Sequence, residues 1–237
     1  MEQGAPDPNF TFAFQPIVDA SVREVISYEA LIRGLGNESA YQIQKQVPAE
    51  RLLIFDQKAR VEAIALATRL GIDCNLNLNF IPQSLHSSTT SILSTLEAAN
   101  RCHLAIERIV LEVTEGEIIA DQARFAGHIN EYRGLGLKVA IDDFGAGYSG
   151  LNLLANFQPD QIKLDLTLVR GIESHGPRQA IVRAIGQVCN DLGIDVVAEG
   201  IETEGEYLWL AAERVRLFQG YLFAKPAFES FPLVHYP

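Results

Sequence analysis

The chain has no apolar run close to the roughly 18 residues that a membrane-crossing helix needs. It shows no signal-peptide pattern at its start. Both absences lead to the expectation of a cytoplasmic protein without membrane contact. Cysteine is scarce: Cys74, Cys102 and Cys189 are scattered and fall in no zinc-type spacing, which argues for reduced thiols rather than a disulfide framework. Basic residues are outnumbered, 19 Lys and Arg against 30 Asp and Glu, for a net charge of -11. That balance disfavours a surface built to coat a nucleic-acid polymer. A Gly-x-Ser-x-Gly elbow is missing, no cysteine has an evident histidine partner, and the histidines show no ligand spacing. Covalent catalysis is therefore disfavoured. An acidic chain can still take an anionic ligand if divalent cations lie between the two.

What is present is an alternation. A chain of 237 residues, 48% of them hydrophobic, suits one α/β domain, since barrels of alternating strands and helices run to roughly 250 residues. The first nine residues, with Gly4, Pro6 and Pro8, read as a tail or linker remnant, and residues 10–237 as one domain. Phe10 to Val18 reads as a strand, and Arg23 to Leu31 as a second. The link between them is too short for a parallel crossover, so an antiparallel hairpin is expected. Helical spacing then runs from Pro48 to Leu70, Ser88 to Ala99, Ala120 to Leu135, Gly150 to Phe157, Pro177 to Leu192 and Glu204 to Glu213. Strands ending at Asn79, Glu112, Asp142, Lys163 and Glu199 fall between them, with a last strand from Leu217 to Phe223. Gly71, Gly136 and Gly193 stand where helices should stop.

The strands end on polar residues, and in a closed parallel barrel those ends meet in a ring where such folds place their chemistry. Glu29 lies in an apolar hairpin strand, a costly position unless the carboxylate is paired or metal-bound. Arg33 shares its face and is either its salt-bridge partner or a phosphate clamp. Asn75, Asn77 and Asn79 alternate on one strand and face one way; Asn79 reaches the strand end and is the favoured amide ligand, with Asn77 the alternative. Glu112 and Glu115, and again Glu199 and Glu202, are acids spaced three apart as a strand turns into a loop. Asp142 and Asp143 are adjacent, and adjacent strand residues point to opposite faces. They can share a site only where the backbone turns, which Gly145 and Gly147 would allow. Lys163, with Asp165 two residues on, can hold a water or a developing phosphorane charge, or simply pair with the acids.

Taken in order, Glu29-Ala30-Leu31 with Arg33, Glu112-Val113-Thr114-Glu115, Asp142-Asp143-Phe144-Gly145, Lys163-Leu164-Asp165, Glu199-Gly200-Ile201-Glu202, and Gln219-Gly220-Tyr221 ahead of Lys225-Pro226 resemble the EAL family of bacterial cyclic-di-GMP phosphodiesterases. The resemblance covers about Phe10 to Pro226. It implies a modified TIM-like (β/α)8 barrel with an antiparallel first strand, and hydrolysis of cyclic-di-GMP to linear pGpG with two divalent cations, Mg2+ or Mn2+. It also implies Glu29, Asn79, Glu112, Asp142, Asp143 and Glu199 as metal ligands, with Glu199, Lys163 and Glu29 catalytic. Gln15, Leu31, Arg33, Asp165, Glu202, Gln219 and Pro226 would contact substrate, Gln219 also supporting the metal shell. Glu115 would anchor the Phe144 to Ser149 loop, which in the family couples homodimerisation to activity. The chain departs from the family pattern at Ile81, where serine is usual, and at Ala146 and Gly150, where Thr and Ser are commoner. Two other readings stay open: an idle domain of the family serving as a cyclic-di-GMP receptor or interaction module, and a metal-dependent barrel hydrolase acting on another phosphodiester.

Overall fold

The first structural decision is the reversal at residues 20–23, where Arg23 takes a left-handed conformation (φ 59°). In the computed structural model of the chain, which describes residues 7–81, 90–114, 122–147 and 150–237, this turn joins β1 (Thr11–Asp19) to β2 (Glu24–Arg33). The two pair antiparallel, with Gln15 opposite Glu29, as the short link required. Next come β3 (Asn75–Asn79), β4 (Ile109–Thr114), β5 (Lys138–Phe144), β6 (Gln161–Leu164), β7 (Asp195–Ala198) and β8 (Leu217–Phe218). Each pairs in parallel with the one before it, starting from β2. β8 then pairs antiparallel with β1 and closes an eight-stranded barrel, and a short β9 (Ala227–Phe228) adds to β1.

Helices fill the crossovers: α1 (Ala40–Gln44), α2 (Leu52–Arg69), α3 (Thr90–Arg101), α4 (Gln122–Gly134), α5 (Gly150–Asn156), α6 (Leu166–Val169), α7 (Gly176–Leu192) and α8 (Glu204–Ala212). The expected stops Gly71, Gly136 and Gly193 all carry positive φ, at 80°, 97° and 69°. Two expectations need correction. The last strand is two residues, not the run from Leu217 to Phe223, because Gln219 to Ala224 bonds to Ile201 and within itself instead of continuing a ladder. Short helices α1 and α6 also stand where none was expected, α1 closed by a Ser39/Gln42 capping box and α6 capped by Asp165. Asp7, in the segment read as a tail, contacts Arg51 at 3.0 Å.

Alternation along the strands divides the barrel's inward residues into layers. Ile17, Val197 and Leu217 form a small apolar cluster of their own, joined by the partly buried Ile26. Gln15, Glu199 and Gln219 lie two residues from these on the same faces, one layer nearer the end of the barrel at which the parallel strands finish. Outward-facing Leu76, Leu78, Leu111, Val139, Ile141, Ile162 and Leu164 join the large core beneath the helices. The lower barrel is thus plugged with hydrocarbon, while the upper barrel is polar.

Candidate active site

The polar layer is built around Lys163. Its position on β6 turns the side chain inward, and only 1% of it is exposed. The ammonium lies 2.7 Å from Glu199 Oε1, 2.9 Å from Glu112 Oε1, 3.1 Å from Asp142 Oδ1 and 3.2 Å from Glu29 Oε2. These acids come from β2, β4, β5 and the end of β7, so closure of the barrel brings them together. Burial alone would drive the lysine pKa down, but the fields of Asp142, Glu112, Glu199 and Glu29 together outweigh it and hold the pKa well above its ordinary value. The carboxylates respond in the opposite sense. Burial first, then the charge of Glu29, raises Glu112 well above the usual carboxylate range despite Lys163. Burial pushes Glu199 up to about 8, with Lys163 opposing and Asp142 and Glu29 adding. One ammonium does not satisfy four carboxylates, and the layer is short of positive charge.

Asp142 and Asp143 do reach one site. The turn is made by Asp143 itself, which adopts φ 53°, ahead of Gly145 at φ 96°. The β5–β6 register slips between Ile141 and Phe144, a bulge that re-aims the second carboxylate. Asp is among the residue types that tolerate this left-handed conformation. Carboxylate oxygens of Asp142, Asp143 and Glu199 consequently lie within 4.8 Å of one another. Burial, then the charges of Asp142 and Asp165, raises the pKa of Asp143.

Buried Glu112 Oε2 and Gln219 Oε1 have no hydrogen-bond partner among the described residues. Orphaned buried acceptors beside a surplus of carboxylate charge are what hard divalent cations satisfy, so the donor set fits such ions. Gln219 donates to Glu29 Oε2 at 2.7 Å and, at 3.4 Å, to Gln15, which donates in turn to the Ala224 carbonyl at 3.2 Å. The segment after Gln219 lies directly on Ile201: a Cβ on Gly220 would stand 2.1 Å from the Ile201 carbonyl oxygen. Glycine is required at that close approach.

The three asparagines of β3 face one way, as alternation demands, but at different depths. Asn77 is fully buried and committed: it donates to Glu112 Oε1 at 2.7 Å and accepts from Ser27. Asn79 is exposed at the rim, opposite Glu112 in register. Arg33 does not pair with Glu29; its guanidinium donates to the Ile32 carbonyl at 2.8 Å. Above the acids a cavity of about 280 Å³ is lined by Gln15, Glu29, Asp143, Asp165, Glu199 and Gln219, and its wall includes Glu202 and Arg170. Asp165 also caps α6 by accepting from the Thr167 N–H at 2.9 Å. Leu31, Arg33 and Pro226 are half-buried and do not line this cavity. Glu115 falls outside the described residues.

Sequence reading missed Arg170 and Glu206. Arg170 lies 2.8 Å from Glu202 and 3.7 Å from Glu206. Buried Glu206 accepts from the N–H groups of Gly171, Glu202 and Thr203. Burial tends to raise its pKa, but those three bonds, followed by Arg170, bring it below the usual range. The signal for Glu206 was available as Thr203-x-x-Glu206, a capping-box spacing.

A family model described as "EAL domain" matches residues 3–226. Two Escherichia coli proteins are similar in sequence. The blue light- and temperature-regulated antirepressor BluF is 36% identical over 98% of this chain and 58% of its own length. The cyclic di-GMP phosphodiesterase PdeR is 34% identical over 86% of this chain and 32% of its own. The Klebsiella pneumoniae BlrP1 manganese/cy-diGMP complex superposes with a TM-score of 0.90 at 41% identity, over 96% of this chain and 58% of that one. The chain spans little more than half, or less, of the length of these relatives.

Proposed function

The chain belongs to the EAL-domain family, and from that premise we propose that it hydrolyses one phosphodiester of cyclic di-GMP to give linear pGpG, with two divalent cations, Mg2+ or Mn2+. The observation that carries this reading is the surplus of carboxylates around Lys163, with buried oxygens left over for cations. The relatives add that PdeR is named a cyclic di-GMP phosphodiesterase and that BlrP1 was crystallised with manganese and the cyclic dinucleotide.

Glu29, Asn79, Glu112, Asp142, Asp143 and Glu199 would hold the ions. Bound there, a pair of cations supplies Lewis acidity toward the phosphoryl oxygens and lowers the pKa of a water. The chain's own residues do the rest. Lys163, buried and permanently charged, fixes Glu199 at 2.7 Å and stands ready to stabilise charge on the phosphorane. Glu199, held ionised beside the cations, would take the proton of the attacking water. The water oxygen bonds to phosphorus, the bond to the 3′ oxygen breaks, and that oxygen takes a proton from solvent. Gln15, Leu31, Arg33, Asp165, Glu202, Gln219 and Pro226 would receive the dinucleotide, and Glu115 would tie the following loop to a homodimer contact. No helix among the described residues is long and apolar enough to cross a membrane; we place this domain, residues 10–237, in the cytoplasm.

A second reading, a receptor or interaction module without turnover, draws on the antirepressor name of BluF. The complete set of acids favours hydrolysis. Incubating the purified chain with cyclic di-GMP and Mn2+ or Mg2+, against an EDTA control, separates the two by chromatography. Linear pGpG formed only with metal is the expected result. An unchanged substrate peak with binding retained in calorimetry would favour the receptor.

A further inference from the structure

A second buried charge lies outside the acid ring, beneath the end of β3. Arg60 on α2 is 2% exposed and Asp56, one turn earlier, 8%. Their side chains form an ion pair. Arg60 Nε donates to the hydroxyl of fully buried Thr95 on α3 at 3.1 Å, and its guanidinium carbon stands 4.8 Å from the centre of the Phe80 ring. Burial raises the Asp56 pKa, while Arg60 and the backbone N–H of Ile81 favour its carboxylate. The pair thus grips Phe80 and Ile81, the residues that directly follow Asn79.

That grip falls where the ladders of β3 end. Its pairing with β2 stops at Ala30 and Leu78 and its pairing with β4 at Asn79 and Glu112. Beyond it the Phe80 N–H donates to the Glu112 carbonyl at 2.8 Å. Apolar residues of similar volume often replace a buried ion pair without loss of stability. Hydrocarbon, however, could offer neither a cation to the Phe80 ring nor a negative charge to the Ile81 N–H. We propose that the Asp56–Arg60 pair is a positioning device, which fixes the backbone at residues 80–81 and thereby sets the Asn79 amide at the rim of the metal centre. The inference rests on the metal site proposed above and assigns to residues buried behind it a function in metal affinity. Outer residues that orient a metal ligand typically carry about 10–100-fold in affinity.

The test is calorimetric titration of Mn2+ into the full chain without substrate, alongside thermal unfolding. Wild type and Asn79→Ala set the scale. The double variant Asp56→Leu/Arg60→Met keeps the apolar volume; it is expected to fold and to bind Mn2+ roughly tenfold more weakly. Adding Asn79→Ala to it should cost almost nothing further, because both changes remove one interaction. Asp56→Asn, which keeps an oxygen for the Ile81 N–H, should recover most of the affinity. If the double variant does not fold, Phe80→Leu serves instead, with a smaller loss of affinity and the same non-additivity with Asn79→Ala. Wild-type affinity in a folded Asp56→Leu/Arg60→Met or Phe80→Leu variant would overturn the proposal, as would full additivity with Asn79→Ala. A wild-type chain that takes up no Mn2+ would instead overturn the metal reading on which it depends.

Discussion

Two cations are buried to nearly the same depth among the described residues, Arg60 at 2% exposure and Lys163 at 1%, yet they keep different company. Arg60 pairs with the Asp56 carboxylate and touches the Thr95 hydroxyl and the Phe80 ring. Lys163 meets four carboxylates within 3.2 Å and leaves them short of cations. A buried pair of opposite charges can hold backbone in place. An unbalanced cluster costs free energy in the empty protein and is retained because something else completes it.

The sharpest way to break this contrast is to remove members of the cluster and measure turnover. Glu29→Ala, Asp142→Ala and Lys163→Met should each keep the fold and lose roughly 10²–10³-fold or more of phosphodiesterase activity. Arg60→Met should lose far less in any fraction that folds. Wild-type rates in Asp142→Ala would refute the assignment of the site, and equal losses in Arg60→Met and Lys163→Met would erase the distinction between the two cations.

Stability should rank them the other way. Arg60→Met leaves Asp56 buried without its counter-ion, a change that typically costs about 3–5 kcal/mol, and Mn2+ should not restore the loss. Lys163→Met removes the cation from a site that divalent ions can neutralise, so its destabilisation should shrink when Mn2+ is added. Thermal unfolding of both variants with and without Mn2+ reads this directly. A Lys163→Met loss that ignores Mn2+ would show that the acids do not hold the metal.

Much of the cluster was legible because chemistry and periodicity coincided: acids at strand ends, one lysine among them, and a link between the first two strands too short for a crossover. The asparagine alternation also held, since a period of two admits no other arrangement. Depth was not legible. Nothing local says that Asn77 is spent on Glu112 and Ser27 while Asn79 reaches the rim, because depth is set by closure of the whole barrel. The turn after Asp142 was read only in part: Gly145 takes positive φ as expected, but Asp143 takes it too, where glycine is the usual marker. The Asp56–Arg60 pair did leave a trace, opposite charges four apart in phase with buried Ala63, Ile64 and Ala67. Charges on an apolar stripe signal a buried network.

The pH response sharpens the same contrast. Glu199 has its folded pKa raised to about 8, and that of Glu112 is raised as well. In the unfolded chain both would ionise near the ordinary glutamate value of about 4.3. Between those limits the folded protein carries more protons than the unfolded one, so the metal-free protein should lose stability as pH rises from about 4.5 to about 8. Mn2+ binding requires the ionised acids and should strengthen over the same window. The melting temperature without metal should therefore fall with pH while the Mn2+-induced increment grows. A metal-free melting temperature that rises through this range would contradict the raised carboxylate pKa values.

The smallest effects should come from the rim, where Arg170 serves two glutamates of different standing. Glu202 is exposed and its pair with Arg170 is open to solvent on both sides. Such pairs contribute at most about 1 kcal/mol, so Arg170→Ala should move the unfolding midpoint little. Glu206 is 1% exposed and receives three backbone N–H groups. Glu206→Ala strands those donors, at roughly 1–3 kcal/mol, and loosens the chain that runs from Glu199 into α8. If Arg170→Ala proved the costlier change in urea unfolding, the arginine rather than the capping bonds would be holding that turn. The depressed pKa of Glu206 gives a further check on the sign. Its contribution to stability is full above the unfolded glutamate value and fades as pH falls through the lower folded one. The stability gap between wild type and Glu206→Gln should therefore narrow on acidification, opposite in direction to the trend set by Glu199.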